Sequence, residues 1–311
     1  MAAETRLRRS TLSVPANKER LIAKAADLNA DVVMLDLEDS VPVEEKAGAR
    51  SSAVAALLDR SFGQSVITVR INDMASPFAY RDLIELVEQA GEGIDLLVLP
   101  KVESPAHVQA VDLLLSQMER ACGLRGAIGL EAIIETALGM QTVESIATCS
   151  KRLETLVFGI ADYAASLGML SKGISGHGDA EEFYPGHRWH YPLSRLAMAA
   201  KAAGLQVIDA PFGDFKDPLG LERSCLLSAA LGFDGKWAIH PDQIETINRI
   251  YSPAEEDVAR CRRILEAAEE QRQQGAGALS IDGKMLDGAS IRLAEATVAK
   301  WEEIRKKQKE E

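Results

Sequence analysis

Two acidic residues end apolar runs that we predict to be neighbouring strands. Glu135 ends the run AIGLEAIIE, and Asp162 ends the run TLVFGIAD. Neighbouring strand ends of a parallel sheet can direct both carboxylates at one point. Two oxygen ligands with open positions suit Mg²⁺, which keeps bound water and takes further ligands from an oxygen-rich substrate. The alternative is a structural pair of acids, and no HExxH motif or pair of histidines at i and i+4 indicates zinc.

An arginine stands near the end of another predicted strand. Arg70 lies in SVITVRIN, and its planar guanidinium is the side chain best suited to bidentate capture of a carboxylate. A metal and an arginine at one site would describe a site for a small keto or hydroxy acid. The alternative is a structural ion pair of Arg70 with Glu38 or Asp36. Both can hold, because a second carboxylate would orient the arginine.

These residues need a scaffold that brings strand ends together. Short β-branched runs alternate with helical patterns, and several runs are apolar almost without alternation, as in strands buried on both faces. We predict eight strands, at 10–15, 31–38, 65–72, 95–102, 127–135, 155–162, 206–212 and 236–241. Since each is followed by a helical segment, we predict an α/β fold of the TIM (β/α)₈ barrel type. An open doubly wound sheet is the alternative, but no GxGxxG follows the first strand.

Polar residues at the ends of the predicted strands favour the barrel. They are Glu38, Asp39, Arg70, Asn72, Lys101, Glu135, Asp162, Asp209 and His240. In a barrel the carboxyl ends of all strands meet at one mouth, where this fold carries its chemistry. Each residue alone has the alternative of capping a helix or forming a salt bridge in a loop. As a set, they predict an active site at the mouth.

The composition narrows the class of protein. The 311 residues include 35 Lys and Arg against 47 Asp and Glu, a formal net charge of −12. Such a chain is not expected to bind nucleic acid, which requires clustered positive charge. No apolar run approaches the roughly 20 residues of a membrane span, and the start MAAETRLRRS lacks the apolar core of a signal peptide. With four scattered cysteines and no CxxC pair, we expect a cytoplasmic protein without a membrane partner.

Other residues give less specific signals. Lys18 and Lys24 follow the first predicted strand, where they either bind the phosphates of a large cofactor or are surface lysines at helical spacing. His240 is the one histidine at a predicted strand end, and we interpret it as a hydrogen-bonding residue at the rim of the mouth. The chain has no GxSxG elbow and no plausible Cys–His couple, which argues against covalent acyl transfer.

Two regions exceed a minimal barrel. A long irregular loop follows Asp162, and loops of that length are usually functional lids or disordered. A helical tail begins near Pro253, is interrupted by QQGAGALSIDGKMLDG and ends in a charged helix. The glycines of the interruption indicate a hinge; Asp282 and Asp287 within it are candidate functional residues, although Asp287 has the alternative of capping the final helix. We predict a barrel domain over 1–252 and a helical lid extension over 253–311.

Several motifs together resemble one known family. They are DVVMLDLEDSVPVEEKAGAR, VRIN, LVLPKVE, IETALGM, FGIADYAASLG, GFDGKWAIHPDQI and SIDGKMLDGASIRLAEA, in the family's order from about Leu12 to about Lys300. In this joint pattern the chain resembles the family of citrate lyase beta subunits and malyl-coenzyme A lyases. It departs from the family at the first loop, which reads PANKE where members often read PGS.

The resemblance implies roles for particular residues. Glu135 in IETALGM and Asp162 in FGIADY would hold Mg²⁺ or Mn²⁺, and Arg70 in VRIN would take the substrate carboxylate. Asp287 would be the catalytic acid or base on the C-terminal lid, with Asp282 as the alternative. The groove for coenzyme A would be lined by Ser13, Lys18, Lys24, Ala161, Asp162, Ile239 and His240. The resemblance also implies homotrimers or homohexamers whose lid closes on a neighbouring subunit's site.

The implied reaction is the reversible, Mg²⁺-dependent cleavage of malyl-coenzyme A to glyoxylate and acetyl-coenzyme A by a Claisen-type mechanism. A second expected substrate is β-methylmalyl-coenzyme A, which would yield propionyl-coenzyme A. Three alternatives stay open: a malyl-coenzyme A thioesterase, a citramalyl-coenzyme A lyase, and a citrate lyase beta-type subunit that acts with a carrier protein. The presence of both predicted metal ligands, Arg70 and Asp287 argues against a non-catalytic subunit.

Overall fold

The computed structural model describes residues 6–59, 62–169, 188–274, 279–281 and 284–310. Most of the long loop predicted after Asp162 lies outside these ranges, and so do Asp282 and three glycines of the predicted hinge, Gly275, Gly277 and Gly283. Among the described residues, none of the helices has an apolar stretch sufficient to cross a bilayer.

Eight parallel strands form a closed barrel. They are β1 (Ser10–Pro15), β2 (Val32–Asp36), β3 (Val66–Arg70), β4 (Leu96–Leu99), β5 (Gly129–Ile134), β6 (Leu153–Phe158), β7 (Gln206–Asp209) and β8 (Gly235–Ala238). Strands adjacent in sequence pair with one another, and β8 closes the ring on β1, where Trp237 stands opposite Thr11. Each of the eight predicted strands overlaps an observed strand, although several end earlier than predicted, and the TIM-barrel class is confirmed.

Helices follow the strands around the barrel. They are α1 (Glu19–Ala25), α2 (Lys46–Asp59), α3 (Ala79–Ala90), α4 (Pro105–Cys122), α5 (Ala137–Gln141), α6 (Val143–Ala147), α7 (Ile160–Ser166), α8 (His190–Ala202), α9 (Pro218–Ala230) and α10 (Ile244–Ile250). Because helices cover the outer face of the sheet while side chains fill its interior, every residue of β2, β4 and β5 is buried. This explains the unbroken apolar runs in the sequence.

The barrel interior is packed rather than open. Its apolar centre is a cluster contributed by six strands: Met34, Val98, Ile133, Val157, Ile208 and Trp237. Such a layer of bulky side chains is typical of TIM barrels, and it separates the mouth from the amino-terminal end of the barrel.

The amino-terminal end of the barrel is closed by a buried polar network. Arg8 is 2% exposed, and its Nη1 donates hydrogen bonds to Thr155 Oγ1 and to Gln206 Oε1, the latter at 3.1 Å. Its Nη2 donates to a carboxylate oxygen of Glu154. A buried charge requires hydrogen-bond partners in place of water, and these bonds supply them to the arginine.

Glu131 lies beside Arg8 in this network. It precedes Ile133 by two residues on β5, so both side chains face the interior, and it is 2% exposed. Burial raises the pKa of Glu131 from 4.5 to about 7, although the positive charge of Arg8 opposes the shift. The carboxyl therefore holds its proton in the folded protein at a pH where it has ionised in the unfolded chain.

We expect Glu131→Gln to stabilise the barrel at pH 8 but not at pH 4. The folded carboxyl has the higher pKa, so raising the pH from 4.5 to about 7 favours unfolding of the parent protein by about 3 kcal/mol in total. The amide does not ionise and avoids this loss. Urea unfolding of both proteins between pH 4 and 8 measures the difference, with the exposed Glu88→Gln as control. A difference that is independent of pH would contradict this account.

The structure divides into two compact units, Met1–Asn248 and Arg249–Glu311. The first holds the barrel. The second holds α11 (Glu255–Gln274), an antiparallel hairpin of β9 (Leu279–Ile281) and β10 (Lys284–Leu286), and α12 (Gly288–Glu310). The helix α11 packs on α12, and Trp301 lies 4.9 Å from the guanidinium of Arg262 and 5.0 Å from that of Arg305. The predicted C-terminal helices are confirmed, and the interruption between them contains a short hairpin.

Candidate active site

Arg70 is paired with carboxylates of β2 and of the loop that follows it. Its Nε and Nη2 donate to the two oxygens of Asp36, each at 2.7 Å. Its Nη1 lies 3.1 Å from Glu38 Oε2 and 3.5 Å from Asp39 Oδ2. The structural pairing considered for Arg70 therefore exists, and it occupies the edge that bidentate capture of a substrate would use. All three nitrogens of the guanidinium therefore have carboxylate neighbours.

Burial alone would destabilise both charges of this pair. It lowers the pKa of Arg70 and raises that of Asp36, but the charge of the partner, the hydrogen bonds between them and the other neighbours of each group together outweigh the effect of burial. The pKa of Arg70 is thus above its ordinary value, and the pKa of Asp36 is below its ordinary value. Both groups stay charged at neutral pH, which keeps positive charge at the mouth.

Glu135 directly follows β5 and is 3% exposed. Its Oε1 accepts a hydrogen bond from the backbone N–H of Lys101 at 2.8 Å, which orients the carboxylate. The backbone of Gly159 passes so close that a Cβ there would collide with Glu135, so only glycine fits at this position. Burial raises the pKa of Glu135 to about 8, with smaller contributions from the charges of Asp162 and Glu38.

Asp162 does not end a strand. The predicted sixth strand, 155–162, is wrong in its second half: β6 ends at Phe158, and Asp162 lies in the first turn of α7. Ile160 continues the apolar run in the sequence because, like the strand residues, it is buried in the structure. The run therefore did not show where the strand ends. The helix nevertheless starts at the mouth, so the Asp162 carboxylate, 40% exposed, remains close enough to Glu135 to affect its pKa.

Lys101 is a strand-end residue to which sequence reasoning assigned no role of its own. Its ammonium forms a hydrogen bond with Glu38 Oε1 and lies 3.5 Å from Asp39 Oδ1 and 3.8 Å from Asp162 Oδ2. Its position after β4 was visible in the sequence, but no spacing rule connects it to acids 63 and 61 residues away. The closed barrel makes that connection.

The charges at the mouth do not cancel. Among the residues that the structure describes there, five acidic side chains face three basic ones: Asp36, Glu38, Asp39, Glu135 and Asp162 against Arg70, Lys101 and Lys46. Among the described residues, no three His, Cys, Asp or Glu side chains are grouped as a metal site. The carboxyl groups of Glu135 and Asp162 nevertheless fit Mg²⁺, which accepts few protein ligands and completes its shell with water and substrate oxygens.

A groove of about 290 Å³ lies beside the first and last strands of the barrel. Four of the residues predicted to contact coenzyme A line it: Ser13, Lys24, Ile239 and His240. Most other lining side chains are apolar, among them Leu12, Leu21 and Leu28, so the groove offers a hydrophobic wall with one ammonium. Lys18 is exposed just before α1, and Ala161 is exposed beside Asp162; neither is part of this lining.

An aromatic stack borders the groove. The rings of Phe215 and His240 are stacked with centroids 4.8 Å apart and an interplanar angle of 15°. His240 Nδ1 also accepts a hydrogen bond from the backbone N–H of Asp242 at 3.3 Å. Sequence reasoning did not select Phe215, since a phenylalanine in a loop carries no signal of its own.

Asp287 caps the helix α12. Its Oδ1 accepts hydrogen bonds from the backbone N–H of Ser290 at 2.8 Å and from the Ser290 hydroxyl at 2.9 Å. These bonds lower the pKa of the fully exposed Asp287 below its ordinary value. The capping alternative is therefore confirmed. It does not exclude a second role, because a capping carboxylate keeps one oxygen for other partners.

The chain belongs to the HpcH/HpaI aldolase/citrate lyase family, whose sequence pattern matches residues 9–241. The family recognised in the motifs is confirmed, and by class the chain is a carbon–carbon lyase. The confirmed barrel and the mouth built from its strand ends agree with this class, because the chemistry of TIM barrels is carried at that end.

Full-length relatives and a solved structure are similar to this chain. The L-malyl-CoA/beta-methylmalyl-CoA lyase of Rhodobacter capsulatus is 41% identical over 308 residues, 96% of each chain. The malyl-CoA/beta-methylmalyl-CoA/citramalyl-CoA lyase of Chloroflexus aurantiacus is 34% identical, covering 91% of this chain and 85% of that one. The structure of CitE from Mycobacterium tuberculosis in complex with magnesium, acetoacetate and coenzyme A matches with a TM-score of 0.75 at 29% identity, covering 97% of this chain and 100% of that one.

We expect Glu135→Gln and Asp162→Asn each to weaken Mn²⁺ binding by about 100-fold or more. Loss of a residue that only hydrogen-bonds to a metal ligand already lowers metal affinity roughly 10–100-fold. Mn²⁺ replaces Mg²⁺ at oxygen ligands and is visible by electron paramagnetic resonance, which measures the free ion. The amides keep the shape of each side chain, and glutamine keeps the acceptor for Lys101, so the barrel should fold. Asp27→Asn, exposed after α1, is the control. Unchanged Mn²⁺ affinity in either variant would remove that residue from the site.

Proposed function

We propose that this chain is a Mg²⁺-dependent lyase that reversibly cleaves malyl-coenzyme A to glyoxylate and acetyl-coenzyme A. We include β-methylmalyl-coenzyme A, which yields glyoxylate and propionyl-coenzyme A. The observation that carries the proposal is the convergence of Glu135, Asp162 and Arg70 at one barrel mouth, in a chain similar along its whole length to lyases with these names. We further propose that the protein is a homotrimer or homohexamer.

Cleavage breaks the bond between the carbon that carries the hydroxyl group and the carbon next to the thioester. The hydroxyl proton passes to a base, the oxygen forms the aldehyde of glyoxylate, and the electron pair of the broken bond moves into the thioester as an enolate. Protonation of the enolate carbon then gives acetyl-coenzyme A. The site must therefore hold an oxo acid, accept one proton and stabilise a negative oxygen.

The mouth has residues for the first and third of these tasks. Glu135 and Asp162 would hold Mg²⁺, which supplies Lewis-acid chemistry when bound by lowering the pKa of a hydroxyl group and polarising a carbonyl. Arg70, oriented by its pair with Asp36, would offer Nη1 to a carboxylate or a developing oxyanion in exchange for its contacts with Glu38 and Asp39. One well-placed donor of this kind contributes about 3 kcal/mol to the stabilisation of a transition state.

Asp287 is our proposed acid and base. Its hydrogen bonds with Ser290 lower its pKa, so at neutral pH it is a carboxylate that can accept the hydroxyl proton on cleavage. In the condensation direction it would take a proton from the methyl group of acetyl-coenzyme A. The groove lined by Ser13, Lys24 and Ile239 would hold the pantetheine arm along its apolar wall, with Lys24 near the phosphates.

We expect the purified protein to condense glyoxylate with acetyl-coenzyme A, and with propionyl-coenzyme A, when Mg²⁺ is present. Mass spectrometry of the thioesters identifies malyl- and β-methylmalyl-coenzyme A, and Asp162→Asn is the matched inactive control. Replacing glyoxylate with pyruvate measures the citramalyl reaction separately. If free coenzyme A forms from malyl-coenzyme A without glyoxylate, the protein is a thioesterase. If no thioester reacts, the proposed function is wrong.

We propose that Asp287 acts at the mouth of a neighbouring subunit, and a mixing experiment tests it. Asp287→Asn and Asp162→Asn chains should each be inactive, because each lacks one part of every site. Mixed oligomers contain some sites with both residues intact, so up to about a quarter of the parent activity should return on equal mixing when each site takes one residue from each of two chains. We avoid Arg70→Ala here, since it would leave the buried Asp36 unpaired.

The control for this mixture is a double variant that carries both substitutions in one chain. Mixed with the parent protein, it restores no site beyond those the parent chains already provide. Native mass spectrometry with size-tagged chains verifies that subunits have exchanged. A mixture of the single variants that stays inactive after verified exchange would exclude action on a neighbouring subunit.

A further inference from the structure

Lys101 connects the ends of several strands at the mouth. Its backbone N–H donates to Glu135 Oε1 at 2.8 Å, and its ammonium is hydrogen-bonded to Glu38 and lies 3.8 Å from Asp162 Oδ2. The one residue thus contacts both proposed metal ligands, one through its backbone and one through its side chain. The side chain is 27% exposed, so a ligand in the mouth can reach the ammonium.

The backbone of Lys101 is held in an uncommon conformation. Its φ is +50°, and among the described residues it is the one non-glycine residue with a positive φ. A side chain in this region of φ is disfavoured sterically and persists where the surroundings hold it. Here the conformation accompanies the hydrogen bond from its N–H to Glu135 while its side chain reaches Glu38. A glycine would relieve the backbone but would remove the ammonium.

The chemistry of Lys101 is electrostatic. A lysine side chain is ordinarily an ammonium at neutral pH, and three carboxylates lie within 4 Å of this one, those of Glu38, Asp39 and Asp162. What it offers is a fixed positive charge beside the two carboxylates that would bind a cation.

A positive charge at this point has opposite effects on the two ligands proposed for the site, the divalent cation and the 2-oxo acid. It repels a divalent cation that approaches Asp162, because like charges a few ångströms apart interact strongly in a partly buried site. It attracts the carboxylate of a bound 2-oxo acid. The same ammonium thus weakens binding of the cation alone and favours binding of the cation together with the acid.

We propose that Lys101 is a positioning residue that makes cation binding at Glu135 and Asp162 depend on the 2-oxo acid. The inference rests on the proposed function, since it takes these two carboxylates as the ligands. The energetic coupling is reciprocal, so the cation must strengthen binding of the oxo acid as much as the oxo acid strengthens binding of the cation.

Mn²⁺ titration by electron paramagnetic resonance, with and without glyoxylate, tests this inference. Without glyoxylate, we expect Lys101→Met to bind Mn²⁺ about tenfold more tightly than the parent protein, because a repelling charge is gone. Glyoxylate should then strengthen Mn²⁺ binding less than it does in the parent. Lys101→Arg keeps the charge and should resemble the parent. The matched control is Lys151→Met, an exposed lysine in the loop before β6, at the opposite end of the barrel.

Tighter Mn²⁺ binding is a readout that a merely structural role would not produce, since damage to the ligands weakens binding. Unchanged or weaker Mn²⁺ binding in Lys101→Met overturns the inference, and so does an undiminished effect of glyoxylate. If Lys101→Met does not fold, Lys101→Gln, which keeps a hydrogen bond to Glu38, carries the same expectations. Asp162→Asn distinguishes a failure of this inference from a failure of the proposed function. Mn²⁺ binding unaffected by that change would contradict the proposed function itself.

Discussion

Asp36 and Arg70 stand opposite each other in the register of β2 and β3, and their side chains form a bidentate ion pair. Asp36 also accepts the backbone N–H groups of Glu38 and Ser40, so the same carboxylate shapes the loop after β2. Both side chains are buried, and removal of one partner of such a pair costs about 3–5 kcal/mol. The positions of Glu38 and Asp39, and through them of Lys101, depend on this pair.

Around the pair, the mouth has more negative than positive charge. The acidic side chains are unevenly compensated: Glu38 is held by Arg70 and Lys101, whereas Glu135 receives one backbone N–H among the contacts of the described residues. Burial, offset only in part by the Lys101 N–H and the charge of Arg70, raises the pKa of Glu135 to about 8. An oxygen-binding divalent cation would compensate the charge of an ionised Glu135, and the two carboxylate ligands that we propose would leave coordination positions for substrate oxygens.

The proposed chemistry is divided between the two units. The barrel unit holds the residues that bind, orient and neutralise charge, on elements fixed by strand pairing and burial. The C-terminal unit holds Asp287, whose carboxylate is exposed and hydrogen-bonded only within its own helix turn among the contacts that the structure describes. An acid or base that must meet the substrate late in the cycle is well placed on such an exposed position, because it requires no desolvation before the ligand binds.

The sequence by itself determined the fold and the identity of most candidate residues. Unbroken apolar runs separated by helical patterns specify strands buried on both faces, and eight such units close into a barrel with every strand end at one mouth. Local reasoning erred at Asp162, because an apolar run does not reveal where a strand ends and a helix begins. The family, too, was recognisable, since its motifs occur in order along most of the chain.

Only the tertiary structure decided which of these residues pair with one another and how burial changes their pKa values. It showed that Asp36 occupies the guanidinium edge of Arg70 that substrate capture would use, that Glu135 is buried, and that Asp287 caps a helix. It also brought Lys101 to acids more than 60 residues away in both directions. Pairing and pKa depend on distance and burial between distant segments, and neither quantity is contained in residue type or spacing.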